Sequence, residues 1–347
     1  MTATPVRWGI LATGKIAHQF AADLLLVPDA RLVAVGSRSL EKAQAFADQY
    51  ADHGPVRAHG SYEDLVSDED VDVVYIATPH ALHLDDTKLA LEAGKHVLCE
   101  KPLTLRTSDA EELFALAAKQ ERLLMEAMWT ACHPTIHALA ARLKKGEFGT
   151  PRHLHAELGF VVPPDPTSRM LDPRLGAGAL LDMGIYPLTF AHLMLGEAEQ
   201  LTGLADVVHT EHGDYDNSIV MTGRYPGGAL ATMVASMTSW SSRRAAIATD
   251  QGRIDVDDFH HPSRVTFTPN TAKAEWTDPD DAAGAPVLIE PETAVIGRGY
   301  AHEAIEVNAC LQAGRTESSQ VPSQQTLTIM RQMDALREET GIVYPEA

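Results

Sequence analysis

Over its first 126 residues the chain alternates short β-branched apolar runs with helix-period segments, and this alternation most narrows what it can fold into. Residues 6–11, 31–35, 71–77, 96–99 and 123–126 read as strands, with helices expected over 16–26, 40–50 and 82–93 and again up to about 121. Strands that are apolar along their whole length are covered on both faces, so they belong in a parallel sheet with helices on either side. Punctuation agrees with that rhythm. Ser39 is the expected N-cap of the second helix, Ser61-x-x-Asp64 opens a short one, Gly94 closes the helix before it, and Ser108-x-x-Glu111 reads as a capping box.

After Trp129 the pattern changes. Runs at 152–161, 199–208, 218–225, 229–236 and 245–249 are longer and suited to antiparallel pairing. Helices are expected over 134–145, 178–195, 300–313 and 323–341, with a Pro-rich loop (Pro163, Pro164, Pro166) and a loop-like stretch at 278–291. At 347 residues the chain exceeds what one core usually organises. The expectation is an α/β protein: an N-terminal Rossmann domain with a doubly wound parallel sheet over 1–129, then an α+β domain with an open, mostly antiparallel sheet over 130–347. A broad open sheet exposes a face to be covered, so a homodimer through the C-terminal sheet is expected.

Charge and cysteine content exclude several classes. A formal charge of −20 leaves no broad basic surface for nucleic acid or an anionic membrane. Cys99, Cys132 and Cys310 are too few and scattered for a disulfide framework, and Asn217, Asn270 and Asn308 form no glycosylation sequon. No run approaches the ~18 apolar residues of a membrane-spanning helix, so a cytoplasmic protein is expected.

The first strand runs into Ala12-Thr13-Gly14-Lys15-Ile16-Ala17, which matches G-x-G-x-x-G/A except at Ala12. Such a motif makes a tight turn, brings bare backbone close to a pyrophosphate and points a helix N-terminus at it. Gly14 and Ala17 fit those requirements, and Ala12 fits provided its φ is negative. The second strand ends in Gly36-Ser37-Arg38-Ser39, with no acidic residue before Glu41 to accept from a ribose 2′-hydroxyl. Arg38 beside two serines suits a 2′-phosphate instead, because a guanidinium pairs with it bidentately. NADP is therefore the expected cofactor.

Three more stretches stand out: Ala77-Thr78-Pro79-His80-x-x-His83, Cys99-Glu100-Lys101-Pro102 and Gly176-x-Gly178-x-x-x-Asp182-x-Gly184-x-Tyr186. With the N-terminal motif they resemble the Gfo/Idh/MocA family of oxidoreductases. Residues 124–129 (LMEAMW) and 178–186 (GALLDMGIY) resemble in particular its dihydrodiol and D-xylose dehydrogenases. The resemblance implies that Lys101 and Tyr186 flank nicotinamide and substrate. It also implies that Thr78, Pro79, His80, His83 and Glu100 belong to the cofactor side and that Arg169 reaches the active-site mouth.

The chemistry asks for these residue types. Oxidising an alcohol or hemiacetal needs a base for the hydroxyl proton while hydride leaves. A phenol, with an ordinary pKa of about 10, is a poor base at neutral pH unless a cation such as Lys101 favours its phenolate. Asp182 precedes Tyr186 by one helical turn and so shares its face, where it can orient the substrate or Lys101. The pairs His80/His83 and His133/His137 have no third ligand in a recognisable zinc pattern, so no metal is expected. Together these features predict hydride transfer between NADP and a hydroxyl-bearing carbon of an aldose or cyclic trans-diol. The same groups serve reduction of a keto-sugar, and a non-catalytic NADP-binding sensor on this fold would have shed Lys101 or Tyr186.

Overall fold

The structure, a computed structural model, describes residues 4–165, 168–272 and 283–344. Pro166 of the expected proline-rich loop and residues 278–282 of the second expected loop lie outside the described residues. Two compact units emerge: Met1–Cys132 with Val295–Arg331, and His133–Ala294 with Gln332–Ala347.

The first unit holds a six-stranded, all-parallel sheet. Its strands are β1 (Val6–Leu11), β2 (Ala30–Gly36), β3 (Arg57–His59), β4 (Val73–Ile76), β5 (His96–Glu100) and β6 (Leu124–Ala127), in the order β3-β2-β1-β4-β5-β6. The helices between them are α1 (Lys15–Leu24), α2 (Leu40–Gln49), α3 (Tyr62–Val66), α4 (His83–Glu92) and α5 (Thr107–Lys119). This is the expected doubly wound sheet, and the strand order reverses beside β1. Ser39 and Ser61 cap α2 and α3 by accepting from Lys42 N and Asp64 N. The capping box at Ser108 does not form, because α5 begins earlier: Arg106 is its N-cap and Ser108 already lies inside the helix.

Trp8, Phe20 and Tyr75, each 0% exposed, form the aromatic centre of this core, with Phe20 stacked on Tyr75 at 3.8 Å. Burying each such ring contributes about 1.5–3 kcal/mol.

Assigning everything past residue 129 to a second domain needs correction, since 295–331 returns to the first unit. Backbone polar groups hold it there. Asp23 accepts from Arg298 N at 2.8 Å and Tyr300 N at 2.9 Å, and Trp8 donates its indole N–H to Asn308 at 3.1 Å.

The second unit contains β7 (Pro151–Gly159), β8 (Gln200–Thr210), β9 (Gly213–Arg224), β10 (Leu230–Ser236), β11 (Ala245–Thr249), β12 (Gly252–Asp257), β13 (Arg264–Pro269) and β14 (Val287–Leu288). They form one eight-stranded sheet, β14-β13-β12-β11-β7-β10-β9-β8, antiparallel except where β10 meets β7. The last three strands had no counterpart in the sequence reading. The apolar helix Ile185–Leu195 packs on β7 and β10. Against the expectation that no segment is long and apolar enough to cross a membrane, Pro173–Leu195 is; 83% of that window is buried, so it serves as the core of this unit.

Candidate active site

At the carboxyl end of β1 the chain turns sharply into α1. Ala12 donates its N–H to Gly36 O at 3.0 Å and has φ 83°, so the negative φ expected there is not adopted. The turn demands the left-handed region whatever residue fills it, at a cost of about 1–2 kcal/mol for a side chain. Gly14 follows with φ −77° as the N-cap of α1, making no side-chain capping bond, and a Cβ placed on it would meet nothing within 4 Å.

Beside this turn opens a cleft of about 670 Å³. Ala12, Thr13, Gly14, Ser37, Arg38, Thr78 and Pro79 all line it, as the sequence anticipated. Lys15 and Ile16, at the start of α1, are not among the lining residues. Lys42 and Tyr62 do line it and were missed. Lys42 sits in the first turn of α2, four residues past Arg38, a spacing that would have found it. Burial holds the Tyr62 phenol above its ordinary value, partly offset by the positive charge of Arg38. Asp86 accepts from Thr78 Oγ1 at 2.7 Å, yet burial pushes its carboxyl up to about 6.

These residues fit a dinucleotide phosphate. The open space over Gly14 faces an uncapped helix N-terminus, the arrangement that receives pyrophosphate. Arg38 and Lys42 put two cations where β2 ends and α2 begins, where a 2′-phosphate would otherwise meet only neutral donors.

Lys101 follows β5 on the same carboxyl edge, 9% exposed, joined to Pro102 by a cis peptide bond. Its surroundings fix the turn. Glu126 accepts from Leu103 N at 2.9 Å and from Thr326 Oγ1 at 3.0 Å, and burial pushes its carboxyl up to about 7. Glu100 accepts from the Tyr75 hydroxyl and from Lys101 N. His83, grouped with the cofactor contacts on sequence grounds, is 0% exposed, with its ring nitrogens 2.9 Å from Thr78 O and Pro102 O. It ties the loop after β4 to the Lys101 turn, so its role there is positional. His80 is also buried, its ring edge-on to His83.

Tyr186 is 8% exposed on the second unit's apolar helix. The sequence suggested one α-helix over 178–195. The structure instead opens it with a π-helical turn, Leu180–Gly184, a feature often found at functional sites. Asp182 lies in that turn and pairs with Arg169 at 3.2 Å. Asp216, absent from the sequence reading, accepts from Leu180 N at 2.9 Å, and burial pushes its carboxyl up to about 7. The Tyr186 ring meets the edge of His260 at 5.4 Å between centroids. Among the described residues, Asp258, His260 and His261 are the one group of three side chains close enough to share a metal ion, and none of them belongs to the histidine pairs of the sequence motifs.

A doubly wound sheet whose carboxyl edge carries a phosphate cleft and a buried lysine, together with a buried tyrosine on a distorted helix, defines a dinucleotide-dependent oxidoreductase. Comparison with known proteins agrees. Residues 6–128 match the oxidoreductase family with an NAD-binding Rossmann fold, and 136–255 match the GFO/IDH/MocA C-terminal domain. The chain belongs to the GFO/IDH/MocA family. It is 32% identical to D-xylose 1-dehydrogenase (NADP(+)) of Hypocrea jecorina, covering 98% of this chain and 93% of that protein. It is 30% identical to human trans-1,2-dihydrobenzene-1,2-diol dehydrogenase, covering 98% of each. The 3-ketoreductase KijD10 of Actinomadura kijaniata, solved with NADP and TDP-benzene, superposes with a TM-score of 0.82 at 26% identity, over 97% of this chain and 98% of that one.

Proposed function

We propose that the protein is an NADP-dependent dehydrogenase that oxidises a hydroxyl-bearing carbon of an aldose or cyclic trans-diol. The observation that supports this reading is the cleft lined by Ser37, Arg38 and Lys42 in the first unit, with Lys101 buried on the same carboxyl edge of its sheet. Gly14 and the N-terminus of α1 hold the pyrophosphate, and Arg38, Ser37 and Lys42 hold the 2′-phosphate. When bound, NADP+ supplies the hydride acceptor. Tyr186 takes the proton from the substrate hydroxyl, Lys101 supplies the positive charge that favours its phenolate, and Asp182, steadied by Arg169, orients the substrate. Run in reverse, the same groups reduce a carbonyl.

The eight-stranded sheet also suits self-association. Leu204, Val220 and Val234 face one another across β8, β9 and β10, and Leu204 is 82% exposed. A homodimer burying this row fits the sheet, and a monomeric mass by light scattering at micromolar concentration would refute it. Three free buried cysteines fit a cytoplasmic enzyme.

The deciding experiment is NADPH formation from NADP+ with a panel of aldoses and vicinal diols. Turnover of at least one substrate class is expected. Tight NADP+ binding with no turnover of any member, in either direction, would instead indicate a sensor.

A further inference from the structure

The loop from β12 to β13 carries Asp258, Phe259, His260 and His261. Asp258 has φ 49° and Arg243 has φ 58°, two non-glycine residues in the left-handed region. They meet each other: Arg243 pairs with Asp258 at 3.3 Å, and Phe259 N donates to Arg243 O at 3.0 Å. Backbone strain of this kind persists only where the surroundings enforce it, and it concentrates at functional sites.

What the strain positions is a carboxylate between two imidazoles. His260 Nδ1 lies 2.6 Å from Asp258 Oδ1 and His261 Nδ1 lies 3.6 Å from Oδ2, with the two rings stacked at 4.7 Å. The His260 approach is a close ion-pair contact that falls short of a linear hydrogen bond. Burial pushes the Asp258 carboxyl up, but His260, His261 and Arg243 outweigh it and hold it below its ordinary value. His260 Nδ1 faces the carboxylate, and Nε2 is the ring's other hydrogen-bonding position.

The loop is also fixed relative to Tyr186. Phe259 is 0% exposed and packs against Phe190 at 5.3 Å, and Phe190 lies one helical turn after Tyr186. His260 itself meets the Tyr186 ring edge-on at 5.4 Å.

We propose that His260, oriented by Asp258, hydrogen-bonds a second hydroxyl of the substrate, adjacent to the one Tyr186 deprotonates, so that this enzyme selects vicinally hydroxylated substrates. The proposal rests on the reading of Tyr186 as the base. His260 takes no part in bond breaking; it is a specificity residue.

Matched substrates differing by one hydroxyl provide the test: glucose against its analogue lacking the hydroxyl next to the anomeric carbon, and vicinal cyclohexanediol against cyclohexanol. His260→Phe should lower kcat/KM for the hydroxylated member about tenfold or more, mainly through KM, and leave the deoxy member and NADP+ affinity unchanged. His260→Gln, which keeps a hydrogen-bonding side chain, should recover much of the preference, and Asp258→Asn should weaken it partially. Equal losses for both members of a pair, or none, would overturn the proposal. One zinc ion per purified chain, lost in His260→Phe, would also overturn it by making the cluster a metal centre. If wild type binds NADP+ but turns over neither pair in either direction, the dehydrogenase reading fails first and the proposal falls with it.

Discussion

Asp216 and Gly178 compete for one space: Asp216 Oδ1 lies 2.6 Å from where a Cβ on residue 178 would stand. The other carboxylate oxygen accepts from Leu180 N and so caps the turn that carries Asp182. Gly178 also has φ 123°, a conformation that side chains resist. The glycine of the G-x-x-x-D-x-G-x-Y stretch is thus explained by a neighbour from β9.

Gly178→Ala should displace Asp216, destabilise the protein by about 2 kcal/mol or more, and lower kcat more than NADP+ affinity. Asp216→Asn, which keeps one acceptor, should be milder. Thermal denaturation and turnover of both variants check this, and a wild-type melting temperature for Gly178→Ala would contradict it.

Stability should fall as pH rises from about 6.5 to 8, above the range in which His96, held down to about 4 by burial, and the likewise lowered His18, His192 and His261 act in the opposite sense. Burial raises the carboxyls of Asp86 to about 6 and of Glu126 and Asp216 to about 7, and it raises Glu303 as well, with Glu100 and Asp23 adding to that rise. Each folded-state value exceeds its unfolded one, so the stability these groups confer is complete below about pH 4 and is lost as pH rises through 6 and 7. Asp68 is pushed up by burial but held at about 2 by Arg57, the Asp70 N–H and His59, so it titrates outside this window. Glu126→Gln can keep both hydrogen bonds without a charge. Melting curves of the variant should show a shallower slope and a higher melting temperature than wild type at alkaline pH. An unchanged slope would contradict the assignment.

Ala12→Gly should raise stability or leave it unchanged, unlike most glycine substitutions. Relief of a positive φ worth about 1–2 kcal/mol offsets the entropy that glycine adds to the unfolded chain. Loss of more than about 1 kcal/mol in urea unfolding would show the turn to be unstrained.

Arg38→Ala should weaken NADP+ by about ten- to a hundredfold, the loss of one charge-assisted contact, and leave NAD+ nearly unchanged. Titrating both cofactors against wild type and variant measures this. Equal losses for the two would remove Arg38 from the 2′-phosphate site.

The first unit was legible because its strands are apolar on both faces and its turns use residues with a mechanical reason to be there. Ser39 and Ser61 cap as read. Ser108 misled because the spacing fits a box, yet α5 starts at Thr107 and leaves the serine inside it. The cleft residues at the ends of β1, β2 and β4 were readable for the same local reasons. His83, Glu126 and Asp216 were not, since their roles depend on backbone groups of sequence-distant strands and turns. The return of 295–331 to the first unit was hidden because its helices look alike wherever they dock. His260 was hidden too, since two histidines in a loop carry no period and only the contact of His260 with Tyr186 gives it meaning.

In the proposed mechanism Tyr186 is the base and Lys101 its cationic partner. Tyr186→Phe keeps ring and volume and removes only the proton acceptor. Its kcat should fall by about 10²–10⁴-fold with NADP+ affinity almost untouched. Lys101→Met should also cripple turnover and move what remains to higher pH, because the phenolate loses its cation. The most direct measurement is kcat against pH for Tyr186→Phe, with single-turnover control that hydride transfer is the slow step. The account predicts a loss of that size; a variant within about threefold of wild type, with an unchanged pH profile, would contradict it.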